Sequence, residues 1–165
     1  MNYIKFFSIH TFLIILLLCS KCYTSCTNPE IFQNCINQVF DNPTDICYHQ
    51  NCLDIINGSV SCSEPIFDIY KASLTLYCAR DTNGDFCPYH SAIEKTYEYD
   101  NIYEALKNEL ALKEKVKDTC YIEKCKSILF TNIKAIILNS ILLGDSHYED
   151  INSNDLYNEF TSLCK

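Results

Sequence analysis

The chain has no tryptophan, and only 3 glycines and 4 prolines in 165 residues. Sandwiches and barrels draw heavily on both turn formers, so their scarcity disfavours those folds. It also excludes collagen-like and low-complexity chains. Without Trp, the aromatic platforms left for a carbohydrate include Tyr97, Tyr99 and Tyr103, which lie across an expected loop and helix start. No G-x-S-x-G, H-E-x-x-H or phosphate-binding glycine loop occurs, so the familiar hydrolase, zinc-protease and nucleotide motifs are missing. Basic charge is also scarce. Lys and Arg number 13 against 21 Asp and Glu, for a formal net charge of −8. That balance disfavours nucleic acid and anionic lipid as partners.

What the chain does contain is apolar and sulfur-rich: 48% hydrophobic residues, 12 Cys, 12 Tyr and 9 Phe. This is enough to bury a core. Met1 to Lys5 is a short basic start, Phe6 to Cys19 an apolar run, and Ser20 to Thr24 a small-residue exit. These are the parts of a secretory signal peptide, expected over residues 1–22 with cleavage between Cys22 and Ser25. The run is short of the roughly 20 apolar residues of a spanning helix, so no membrane span is expected in the mature protein. Removal of the leader leaves residues 23–165, with ten cysteines and a more acidic balance. An even count in a secreted chain favours disulfides over metal ligands. Asn57-Gly58-Ser59 is the one acceptor for N-linked glycan, which places Asn57 on the surface.

The ten are Cys26, Cys35, Cys47, Cys52, Cys62, Cys78, Cys87, Cys120, Cys125 and Cys164. Read as two sets of five, each set has a C-x8-C followed by a C-x4-C. The second pair sits in D-x-C-Y-x3-C-x2-I-[I/L] both times, 73 residues apart, at Asp45–Ile56 and Asp118–Leu129. This pattern suggests internal repeats over 26–77 and 78–164.

Most periodicity is helical. Asn28-Pro29-Glu30 opens a helix whose apolar face is Ile31, Phe32, Cys35, Ile36, Val39 and Phe40, with a capping Asn and a proline at the first position. Thr44 caps a second helix through Cys47 and Cys52 to Gly58, and Ser63-Glu64-Pro65 opens a third that ends at the Asp81–Gly84 turn. A fourth is expected from Asp100 to Lys117, a fifth from Thr119 to Gly144, and a short last one after Ser153. Ile128–Leu143 is apolar almost all round, which reads as a central core helix. The expected fold is all-α: a disulfide-stapled helical bundle of two possible related repeats. Residues five apart on a continuous helix point about 140° apart, beyond disulfide reach. Cys47 should therefore not join Cys52, nor Cys120 join Cys125. Connectivity stays open, and a nested pairing within each set, linked by Cys62 to Cys164, is one topology that fits.

Chemical constellations are weak. Asp81-Thr82-Asn83-Gly84-Asp85 starts like a calcium loop, but Phe86 and Ala92 stand where an EF-hand needs Gly and Glu. His49, between Cys47 and Cys52, is followed by Gln50, where a secreted phospholipase has Asp; it reads as an exposed helix residue. Cys87-Pro88-Tyr89-His90 offers two zinc ligands where a closed site needs four, so Cys87 is expected to be oxidised. His147 reads as solvated. No catalytic, cofactor or metal site is assigned.

A leader followed by evenly populated cysteines resembles the small secreted cysteine-rich proteins of fungi, the candidate-effector class. The Tyr77-Cys78 to Asn83-Gly84-Asp85 to Cys87-Pro88 element is similar to segments of uncharacterised secreted proteins of gut anaerobic fungi. The resemblance implies extracellular deployment and carries no site residue. The expectation is a secreted, non-enzymatic protein that binds an extracellular protein or glycan. The alternatives are a secreted hydrolase using His49, His90 or His147 with acids, and a structural cell-wall or matrix component.

Overall fold

Asn28 accepts from the amide of Phe32 and starts α1, Pro29–Asp41. Phe32, Cys35, Ile36 and Val39 are buried, the i, i+3, i+4, i+7 set of one helix face. The computed structural model describes residues 26–41, 43–91, 114–142, 158 and 161–165. Outside them fall the expected leader, most of the helix expected from Asp100, Tyr97, Tyr99, Tyr103, His147, and the expected last helix up to Asn158 apart from that residue. A 3-10 helix, Pro43–Tyr48, follows α1, then α2, Gln50–Ile56, and α3, Pro65–Tyr77. Residues 88–91 and 114–120 are helical, and α4 is Glu123–Leu142. Among the described residues the chain is a helical bundle held by five disulfides, with only isolated β-bridges besides.

The helix packed on both sides is α3. Glu64 is extended, as a residue before proline prefers, and Pro65 occupies the first turn. Ile66, Phe67, Ile69, Tyr70, Leu74 and Tyr77 join the α1–α2 core, where Phe32 meets Phe67 and Tyr70 edge-on at 5.3 and 5.2 Å. Leu76 instead joins Tyr89, Val116, Leu129 and Ile133 in a second cluster against α4. The sequence placed the central helix at 128–143. There, Leu129 and Ile133 are buried, but Leu138 and Leu142 are exposed.

The two C-x4-C segments correct the expectation of continuous helices. Cys47 ends in the 3-10 helix and Cys52 lies in α2, with His49 between them in extended conformation. Cys120 closes helix 114–120 and Cys125 lies in α4, with the break at Tyr121–Ile122. Similar bonds mark both breaks. The amide of His49 is shared between the carbonyls of Asp45 at 3.1 Å and Ile46 at 3.2 Å, and that of Ile122 donates to Thr119 at 3.2 Å. Leu53 then restarts on the carbonyl of His49 at 3.0 Å, as Lys126 does on Ile122 at 2.9 Å. A tighter i→i+3 bond ends one helix and frees the next to start in a new direction. Ile46 and Thr119 are each 1% exposed, whereas Tyr48 and Tyr121 face solvent in both copies.

Across each break, cysteines five apart join different partners. The pairs are Cys26–Cys62, Cys35–Cys52, Cys47–Cys78, Cys87–Cys125 and Cys120–Cys164. The nested scheme with a Cys62–Cys164 link is therefore incorrect: Cys62 lies beside Cys26 in a short antiparallel bridge, and Cys164 reaches Cys120. Cys47–Cys78 also crosses the 77/78 boundary expected between repeats. With the frame moved one cysteine along, Cys35-Cys47-Cys52-Cys78 and Cys87-Cys120-Cys125-Cys164 are each bonded first to third and second to fourth, and Cys26–Cys62 stands apart as an added clip.

Burial holds the Tyr89 phenol well above its ordinary value. The neutral phenol is the form the fold accommodates, so its contribution is complete below the unfolded-chain value of about 10 and is lost as pH rises beyond it. Stability should fall above that pH, and more shallowly in Tyr89→Phe, as read by urea melts across the alkaline range. Equal slopes in the two proteins would remove Tyr89 as the cause.

Candidate functional site

At the end of α3 the chain turns through a short hairpin. The amide of Cys87 donates to the Ala79 carbonyl at 2.9 Å and that of Asp81 to Asp85 at 2.8 Å, which sets Arg80 opposite Phe86. Alternation then sends Ala79 and Cys87 into the core and Arg80 and Phe86 outward. The turn is tied by Asp81, whose Oδ1 accepts from the amides of Asn83 and Asp85 at 2.8 and 3.0 Å. Gly84 has φ +92, a conformation that L side chains resist. The carboxylate of the calcium-like motif is thus engaged with backbone in a polar turn.

Four side chains form a column that runs from half-buried Arg80 to Tyr77 in the core. The Arg80 guanidinium carbon lies 3.8 Å from the Phe86 ring centre, and His90 stacks on Phe86 at 4.0 Å with rings 6° apart. Two planar groups at those distances cannot share a face, so Phe86 is sandwiched. Tyr77 follows His90 at 4.5 Å. Tyr48 joins from the side, its ring centre 5.5 Å from the Arg80 guanidinium and its hydroxyl accepting from Nη2 at 3.1 Å. Nη1 of Arg80 donates to the Gly84 carbonyl at 2.8 Å. Partly exposed cation–π contacts are each worth about 0.5–1 kcal/mol, and two hydrogen bonds fix the plane of the fork.

Two disulfides assemble this cluster. Cys47–Cys78 brings Tyr48 to the end of α3, two residues before Arg80. Cys87–Cys125 brings α4 to the hairpin, where Lys124 Nζ donates to the Asp81 carbonyl at 2.9 Å.

The histidines fall differently from the sequence reading. His49 is half-buried at the break before α2 rather than exposed on a helix, and its Nδ1 is buried with no hydrogen-bond partner among the described residues. Nδ1 of His90 lies 2.6 Å from the Tyr77 carbonyl oxygen, which accepts its proton and leaves Nε2 as the other ring nitrogen. Neither described histidine bonds a carboxylate. Cys87 is in a disulfide, as the sequence leads us to expect. Asn57 is exposed at the end of α2, followed by exposed Gly58 and Ser59. Sequence reasoning passed over Tyr48, Arg80 and Phe86. The available signal was that Arg80 is the only arginine among 13 cations.

An alanine at position 84 meets no atom within 4 Å, so its cost is conformational. Gly84→Ala should lower stability by roughly 1–2 kcal/mol, read from a shifted urea midpoint at unchanged slope. A neutral result would show that the turn relaxes to negative φ.

No family model, curated protein or solved structure matches the chain.

Proposed function

We propose that this chain is a secreted, glycosylated binding protein that works outside the cell, the deployment that its resemblance to fungal effector-like proteins implies. The observation that carries the reading is the disulfide frame. All ten cysteines from Cys26 to Cys164 are bonded, a state that belongs to oxidising compartments. The basic–apolar leader of residues 1–22 supports export. Among the described residues no helix is long and apolar enough to cross a membrane. The exposed Asn57-Gly58-Ser59 turn supports attachment of a glycan. A cross-linked scaffold of this kind keeps a surface such as the Arg80 column in place where proteases are abundant.

The test is intact mass of protein recovered from the medium, followed by binding of that protein to extracellular material. The expected chain starts between Tyr23 and Ser25, gains ten hydrogens on reduction, and loses a glycan that Asn57→Gln abolishes. The oxidised protein should bind saturably and the reduced, alkylated protein should not. Retention inside the cell with free thiols, or no difference between the two forms, would overturn the reading.

A further inference from the structure

The Tyr48–Arg80–Phe86 surface gives the binding reading, on which this inference rests, a ligand chemistry. Twelve of the 13 cations are lysine, and the single arginine stands where a planar fork is needed: against two aromatic rings, with each terminal nitrogen tethered to a neutral oxygen. A lysine ammonium could neither stack nor be oriented this way. Among the described residues no carboxylate lies within ion-pair distance of Arg80, and three of its five N–H groups are unengaged. The turn that holds it carries a second cation, Lys124, and a tip of exposed Thr82 and Asn83. Beside the fork, Tyr48 is 65% exposed.

We propose that this surface binds a carboxylated sugar, with the carboxylate on the unengaged N–H groups of the Arg80 guanidinium and the apolar face of the pyranose against the Tyr48 ring. The fork matches a carboxylate in two parallel hydrogen bonds, and the tyrosine supplies amphipathic contact area at little entropic cost. The polar tip offers partners for sugar hydroxyls. A peptide ligand fits less well: strand addition needs an open edge of some length, and the hairpin makes a single isolated bridge. Asp81 does not compete for the fork, because its Oδ1 is engaged by two amides. Asp85 is exposed nearby, so binding is weak and salt-sensitive, with a dissociation constant of about 1 mM at low ionic strength.

The experiment is an NMR titration of the full oxidised secreted protein with trigalacturonate, its fully methyl-esterified form, maltotriose, and a short alanine peptide with a free C-terminal carboxylate. Trigalacturonate should give saturable shifts at Tyr48, the Arg80 side chain and Phe86. The ester should bind about tenfold more weakly, as should trigalacturonate to Arg80→Lys, which keeps the charge and loses the fork. The esterified ligand needs no change to the protein, so the result holds even if Arg80→Lys perturbs the hairpin. Equal binding of ester and acid, unchanged affinity in Arg80→Lys, equal binding of the alanine peptide, or no saturable shift would each overturn the assignment. If the oxidised protein still binds extracellular material saturably, such a failure removes this ligand alone. Loss of that binding as well removes the broader reading.

Discussion

The fold depends on two helix breaks, each set between cysteines five apart that bond to different elements. At Tyr48–His49 and at Tyr121–Ile122 an i→i+3 bond closes one helix, and the next begins on the following carbonyl. One cysteine then turns inward, to 0% exposure at Cys52 and 1% at Cys125. The other faces a separate element. The first break centres the α1–α2 core on Cys35–Cys52, where the Tyr70 hydroxyl lies 3.2 Å from the Cys35 sulfur. The second lets α4 meet both the hairpin and the C-terminal residues.

The surface column follows from the same device. Its members come from the 3-10 helix, the end of α3, the hairpin and the 88–91 turn. The last three are consecutive in the chain, and Cys47–Cys78 ties the 3-10 helix to them. The exposed tyrosine is part of the break itself: a side chain at that turn has no helix face to pack on, so it points outward at both breaks. At the first, Arg80 lies beside Tyr48. At the second, Tyr121 is 88% exposed.

Much of the helical layout was legible because its signals are local. Asn28-Pro29 and Glu64-Pro65 mark helix starts by the chemistry of proline and capping, and Gly84 marks a turn that needs positive φ. An even set of ten cysteines beyond the apolar first stretch announced disulfides. The helix breaks were not legible, because Tyr48-His49-Gln50 and Tyr121-Ile122-Glu123 contain no Gly or Pro to mark them. The recurrence of D-x-C-Y-x3-C was the one trace of them. Arg80 and Phe86 escaped notice for a different reason. Their significance lies in a contact with Tyr48, 32 residues from Arg80, and spacing within a chain does not report a neighbour brought by a distant covalent bond.

The order of the disulfides also determines what a protease can release. Three bonds close entirely within residues 26–78, and Cys120–Cys164 closes entirely beyond residue 119. Only Cys87–Cys125 crosses from one group to the other. A single backbone cut between Cys87 and Cys120 would therefore leave two separately cross-linked pieces on one tether. Reduction of that one bond would then leave them, each with its own internal bonds, joined only by non-covalent contacts such as the packing of Leu76 against Leu129 and Ile133.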